Sequence, residues 1–165
     1  MSALLFIAFQ INVMAQTPLI INGDFTKNTL VINNVSFTKT STIEDYENVL
    51  GKADIIDKVA GRDKVFGYNK LGIMLILRYN ANTVQEIYIN YTYEEDKKEV
   101  KDFKGKLSLN GIEVTDKSTL EEIAKNTGLK LEMPEKEFYI AKGKSLSLSF
   151  DYIDATIGVF LFTFD

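Results

Sequence analysis

One stretch of this chain is written twice, and that repetition constrains the fold more than its composition does. Leu30 to Gly51 reads LVINNVSFTKTSTIEDYENVLG, and Leu107 to Gly128 reads LSLNGIEVTDKSTLEEIAKNTG. The two align without a gap, Ile43 falling on Leu120, and seven of the 22 positions are identical. Each copy carries a Ser/Thr-x-x-Glu pattern, Ser41 to Glu44 and Ser118 to Glu121. Such a box satisfies the free N–H groups of a helix start from both sides. Gly51 and Gly128 then stand where a helix ends most readily in positive φ. Asn33-Asn34 and Asn110-Gly111 separate short apolar runs and suit tight hairpin turns. The pattern predicts an α+β fold. It is a tandem repeat of two units, each a short hairpin plus a capped helix packed on a roughly three-stranded antiparallel sheet.

The strand patterning extends this expectation. Lys64 to Tyr68, Ile73 to Tyr79 and Val84 to Tyr93 read as strands of the first unit, and Lys144 to Phe150 and Val159 to Phe164 as strands of the second. Phe160 and Phe162 fall on Ile87 and Ile89, so these rows are expected to face the helix side. The opposite face would carry Met74, Ile76, Arg78, Tyr88, Asn90 and Thr92 in one unit. Ser145, Ser147, Ser149, Val159, Leu161 and Thr163 would carry it in the other. Lys52 to Arg62 and Met133 to Lys142 read as loops.

Five segments follow. Residues 1–15 are apolar and end in Val13-Met14-Ala15, the small-residue pattern of a cleaved signal peptide, and they are too short for a membrane span. Residues 16–29 form a leader, 30–93 the first unit, 94–104 a charged linker and 105–165 the second unit. The chain is expected in the periplasm or secreted, without stable membrane insertion after cleavage.

Composition narrows the chemistry. The 165 residues contain no His, Cys or Trp. Zinc, thiol and imidazole chemistry are thereby excluded, and no disulfide contributes to stability. The 19 basic residues are scattered among 23 acidic ones, which leaves no field for nucleic acid. Glu94-Glu95-Asp96 lacks the alternating oxygens and glycine of a calcium loop. Asp151 and Asp154 read as the turn between the last two strands rather than a glycosidase pair. No catalytic residue, metal site or cofactor is expected.

Two resemblances add to this reading. Phe66-Gly-Tyr-Asn-Lys-Leu-Gly-Ile73, preceded by Val49-Leu-Gly-Lys52, resembles an uncharacterised bacterial domain family. Its members carry a Tyr-Asp-x-Leu-Gly-Ile step, where this chain has Asn69. The family is met among secreted proteins, including candidate immunity proteins. The tandem architecture is also similar to the β-lactamase inhibitory protein fold and to small outer-membrane assembly lipoproteins. The architectural resemblance implies binding to another protein.

Tyrosine supplies large contact area at small entropic cost, so aromatic rows on strands suit a protein interface. Arg78, Tyr79 and Tyr88 are the expected partner-binding residues. The expected function is an exported, non-catalytic protein-binding module, an inhibitor or immunity protein. The alternative is a structural or assembly component of the bacterial envelope.

Overall fold

The computed structural model describes residues 18–59, 63–78, 80–91 and 102–165. In chain order the elements are β1 (Ile20–Asp24), β2 (Thr29–Ile32), β3 (Val35–Phe37), α1 (Ile43–Leu50), β4 (Ile55–Val59), β5 (Asp63–Tyr68), β6 (Ile73–Leu77) and β7 (Val84–Asn90). They continue with β8 (Lys106–Leu109), β9 (Ile112–Val114), α2 (Leu120–Thr127), β10 (Leu131–Glu135), β11 (Phe138–Lys142), β12 (Leu146–Ile153) and β13 (Thr156–Phe164). Of the described residues 52% lie in strands and 12% in helices, so the protein is mostly β and not an α+β repeat of capped helices.

The strands form two sheets that cut across the expected units. One has five strands in the order β3-β2-β1-β8-β9, and the other eight in the order β10-β11-β12-β13-β7-β6-β5-β4. All pairings are antiparallel except β1 with β8. The segment expected as a leader contains β1, which lies between β2 and β8 at the centre of the smaller sheet. Strands β7 and β13, expected as equivalents in the two units, pair directly, with Phe160 opposite Ile89 and Phe162 opposite Ile87. Self-similarity in sequence reports local structure, and these long-range pairings joined the two halves into common sheets.

The local expectations held better than the global one. Asn33 and Asn34, and Asn110 and Gly111, all have positive φ in the two hairpin turns. Both helices open on a capping box, displaced by one residue from the expected frame. Thr42 caps α1 with Asp45 reaching back, and Thr119 caps α2 with Glu122. Ser41 and Ser118 instead accept from the backbone N–H of Thr38 and Thr115, holding the turn before each helix.

One apolar core fills the space between the sheets. Ile21, Leu30, Ile32 and Leu107 of the smaller sheet belong to the same cluster as Ile87, Ile89, Phe160 and Phe162 of the larger. Gly23 lies against Phe162 so closely that an added Cβ would stand 2.5 Å from its ring. Tyr46 of α1 stacks on Phe37 with ring centroids 4.0 Å apart. Tyr91 packs edge-on against Phe103 and Phe160, and its hydroxyl donates to the Val114 carbonyl at 3.1 Å. Five strands lie over only one face of the eight-stranded sheet.

Candidate functional site

The other face of the eight-stranded sheet is built by the period-two alternation of its strands. A continuous register row crosses it: Ile55 opposite Gly67, Gly67 opposite Met74, Met74 opposite Tyr88, and Tyr88 opposite Leu161. Leu161 then stands opposite Ser149, Ser149 opposite Ile140, and Ile140 opposite Glu132. Alternate residues of β6, β7 and β13 point into the core with Leu75, Ile87 and Phe162, all fully buried. Met74, Tyr88, Leu161 and Ile140 remain half-buried on the outer side. The next row places Val65, Ile76, Glu86 and Thr163 in neighbouring strands. The face is therefore apolar over Met74, Tyr88, Leu161, Val65 and Ile76, with Glu86, Thr163 and Ser149 set among them.

Tyr88 sits at the centre of this face. Its hydroxyl donates to Glu86 Oε2 at 3.1 Å. Burial, with the adjacent Glu86 carboxylate, pushes its phenol up to about 12. It therefore stays a neutral donor at any physiological pH. Arg78 is exposed and follows β6, where its N–H donates to the Thr83 carbonyl at 3.0 Å in the turn leading to β7. The five residue steps from Thr83 to Tyr88 span roughly 16 Å along a strand. Arg78 and Tyr88 thus share one hairpin but not one contact point. Tyr79 lies outside the described residues, as do the expected signal segment, Glu94-Glu95-Asp96 and most of the charged linker.

Ile55 and Ile140 were missed as members of this face, because both fall in segments expected to be loops. Lys52 to Arg62 contains β4, and Met133 to Lys142 contains part of β10 and all of β11. The alternation Phe138-Tyr-Ile-Ala141 was the available signal for β11. The Tyr68-Asn-Lys-Leu-Gly-Ile73 motif is the β5–β6 turn. Leu71 N–H donates to the Tyr68 carbonyl at 2.9 Å, and Gly72 takes φ of 70°. Its residues serve the turn.

Other places with chemical potential are modest. Among the described residues no group of three or more His, Cys, Asp or Glu could hold a metal ion. Asp151 stands in β12 opposite Phe138, while Asp154 takes φ of 48° in the following turn. The Tyr46 and Tyr68 hydroxyls are buried and have no hydrogen-bond partner among the described residues. Burial raises both phenols, Tyr68 to about 12. An open cleft of about 390 Å³ is lined by Leu19, Val49, Leu50, Leu71, Lys70 and Lys104, among others. Each lysine already neighbours a carboxylate, Asp54 at 3.9 Å and Asp102 at 3.3 Å. Among the described residues no helix is long and apolar enough to cross a membrane.

A family model described as a domain of unknown function, DUF7738, matches residues 24–124. The chain belongs to the DUF7738 family. The DUF7738 match runs from the end of β1 into α2, so β10 to β13 lie beyond it. No curated protein matches the chain. Among solved structures the chain is similar to a DUF4309 family protein, YjgB, from Bacillus subtilis subsp. subtilis strain 168. The identity is 14%, the TM-score 0.45, and the likeness covers 78% of this chain and 81% of that one. Membership in an uncharacterised domain family agrees with the sequence resemblance. Neither its Tyr-Asx-x-Leu-Gly-Ile motif nor the β-lactamase inhibitory protein architecture finds support.

Proposed function

We propose that this DUF7738 protein is an exported, non-catalytic protein-binding module, acting as an inhibitor of, or immunity factor against, an enzyme or toxin. The observation that supports the reading is the outer face of the eight-stranded sheet. A row of half-buried apolar and aromatic side chains, Met74, Tyr88, Leu161 and Ile140, crosses its middle, and no described element lies over it. Contiguous apolar patches left partly open to solvent mark interaction sites. Insertion of a loop into a target is less suited to this chain, since both segments expected to serve as such loops contain strands. Tyr88 supplies a rigid ring with one hydroxyl, the chemistry favoured at the centre of interfaces.

The test is affinity capture from extract of the source cells with the full chain as bait and mass spectrometry of the retained proteins. One dominant hydrolase or toxin, lost on Tyr88→Ala and on Leu161→Glu but kept on Glu113→Gln, is the expected result. Retention that is indifferent to both face variants would remove the sheet face from the proposal. Retention of envelope-assembly proteins instead would transfer the proposal to a structural role.

A further inference from the structure

β1 lies between two hairpins, β2–β3 and β8–β9, and each hairpin turn grips it through an asparagine. Asn33 Oδ1 accepts the Ile20 N–H at 3.0 Å, and Asn110 Oδ1 accepts the Phe25 N–H at 2.9 Å. Beyond this shared contact the two ends of β1 differ. The Asn110 end is closed. Asn110 Nδ2 donates at 2.9 Å to the carbonyl of Thr127, the last residue of α2. Phe25, directly after β1, is buried, and Asn28, directly before β2, accepts the N–H groups of Lys144 and Ser145. A Cβ added at Gly143 would stand 2.9 Å from the Asn28 oxygen and 3.4 Å from the Phe25 ring, so no space is left there.

The Asn33 end is open. Leu50, the last residue of α1, falls on Thr127 in the sequence alignment. Yet among the described residues none accepts from Asn33 Nδ2 and none donates to the Leu50 carbonyl. Leu19 stands directly before β1 where Phe25 stands directly after it. Gly105 stands before β8 where Asn28 stands before β2. Phe103 does not make up the difference, because it packs edge-on to Tyr91. A ring and an amide are thus missing from this end, and the cleft of about 390 Å³ lies there, floored by Leu19, Val49, Leu50 and Leu71. Its volume falls in the range of small-ligand sites. Its charged lining residues, Lys70 and Lys104, are both basic, and their neighbours Asp54 and Asp102 do not line it.

We propose that this cleft binds an N-acylated aromatic amino acid, a chemistry also carried by the C-terminal residue of a peptide. The ring lies on Leu19 and Leu71 and supplies the bulk that Phe25 supplies at the other end. The amide carbonyl accepts from Asn33 Nδ2 and the amide N–H donates to the Leu50 carbonyl, so one group satisfies both open partners. The carboxylate is held by Lys70 and Lys104, whose exposed ion pairs restrain them only weakly. The cleft shares no residue with the row through Tyr88, so the site is independent of the protein-binding reading.

The test is titration of N-acetyl-L-phenylalanine into the full ¹⁵N-labelled chain. Amide shifts confined to the surroundings of Leu19, Leu50, Leu71 and Gly105 are expected, with a dissociation constant on the order of a millimolar, ordinary for so small a ligand. N-acetyl-L-alanine lacks the ring and N-acetyl-L-phenylalaninamide lacks the charge, and each should bind roughly tenfold more weakly. Asn33→Asp keeps the acceptor for the Ile20 N–H and replaces the free donor, in a turn conformation that aspartate tolerates. It should weaken binding by a similar factor at undiminished spectral dispersion. Lys70→Gln combined with Lys104→Gln should abolish the preference for acid over amide, whereas Tyr88→Ala should change nothing. Tighter binding of a tetrapeptide ending in phenylalanine would assign the ligand to a chain end, and equal or weaker binding to the free acyl amino acid. No saturable shift at millimolar ligand, shifts centred away from the cleft, or equal affinity for the alanine and phenylalanine compounds would overturn the proposal.

Discussion

At Gly23 the absence of a side chain is a packing requirement. An added Cβ would stand 2.5 Å from a ring carbon of Phe162 and 3.2 Å from Phe25. Phe162 is fully buried, so its ring has no empty space to enter. Overfilling a packed core costs about 1–3 kcal/mol. Gly23→Ala is accordingly expected to lower stability by that amount in urea denaturation, with an unchanged denaturant slope. Its neighbour Asp24 sets an acid limit. A hydrogen bond from the Thr26 hydroxyl at 2.6 Å is the main cause that lowers its carboxyl to about 2, helped by the Lys27 N–H and ammonium. The folded pKa lies below the unfolded value. The stabilisation is therefore complete above about pH 4 and disappears as pH falls toward 2. Thermal melts between pH 5 and 2 should show the wild type losing more stability than Asp24→Asn. Equal slopes would mean that Asp24 does not titrate differently in the folded state.

Helix caps show how an element can be legible while its frame is not. Ser41-Thr-Ile-Glu44-Asp45 offers two overlapping boxes, and so does Ser118-Thr-Leu-Glu121-Glu122. The serines are drawn back by the N–H groups of Thr38 and Thr115, leaving the threonines to cap. Hydrogen bonds donated by Thr119 hold the exposed Glu122 carboxyl below its ordinary range. Thr42→Ala and Thr119→Ala should each cost about 1 kcal/mol, the usual value of a lost N-cap. A larger loss for Ser41→Ala than for Thr42→Ala would restore the frame expected from sequence. Strand identity was legible in the same way. β6, β12 and β13 follow their alternation, whereas β4 and β10 did not stand out as strands. Ile55-Ile-Asp-Lys-Val59 does not alternate apolar with polar, and Leu131-Glu-Met-Pro-Glu135 contains a proline. The sheet face around Tyr88 was readable because β6, β7 and β13 alternate, and it was incomplete because its two wings, Ile55 and Ile140, lay in segments read as loops.

For the whole molecule the question is whether either half could stand alone. Sequence similarity between Leu30–Gly51 and Leu107–Gly128 encourages that expectation, because caps and turns need only local residues. Pairing partners need the whole chain, and no local pattern records them. β1 binds β2 on one side and β8 on the other, and β7 binds β6 and β13. A fragment of residues 105–165 would open the edges of β8 and β13 together. It would also strip Phe160 and Phe162 of Ile89 and Ile87, and Phe162 of Phe25. Full burial of such a side chain contributes roughly 1.5–3 kcal/mol, while a domain's net stability is only about 5–15 kcal/mol. Losing cover over several core phenylalanines exceeds what so small a fragment retains. The fragment should therefore show collapsed amide dispersion and no cooperative melt, whereas the full chain unfolds in a single transition reported alike by circular dichroism and tyrosine fluorescence. Two separated transitions in the full chain, the second matching the fragment, would mean that the shared sheets are thermodynamically divisible and that the β7–β13 seam is weaker than its buried rows imply.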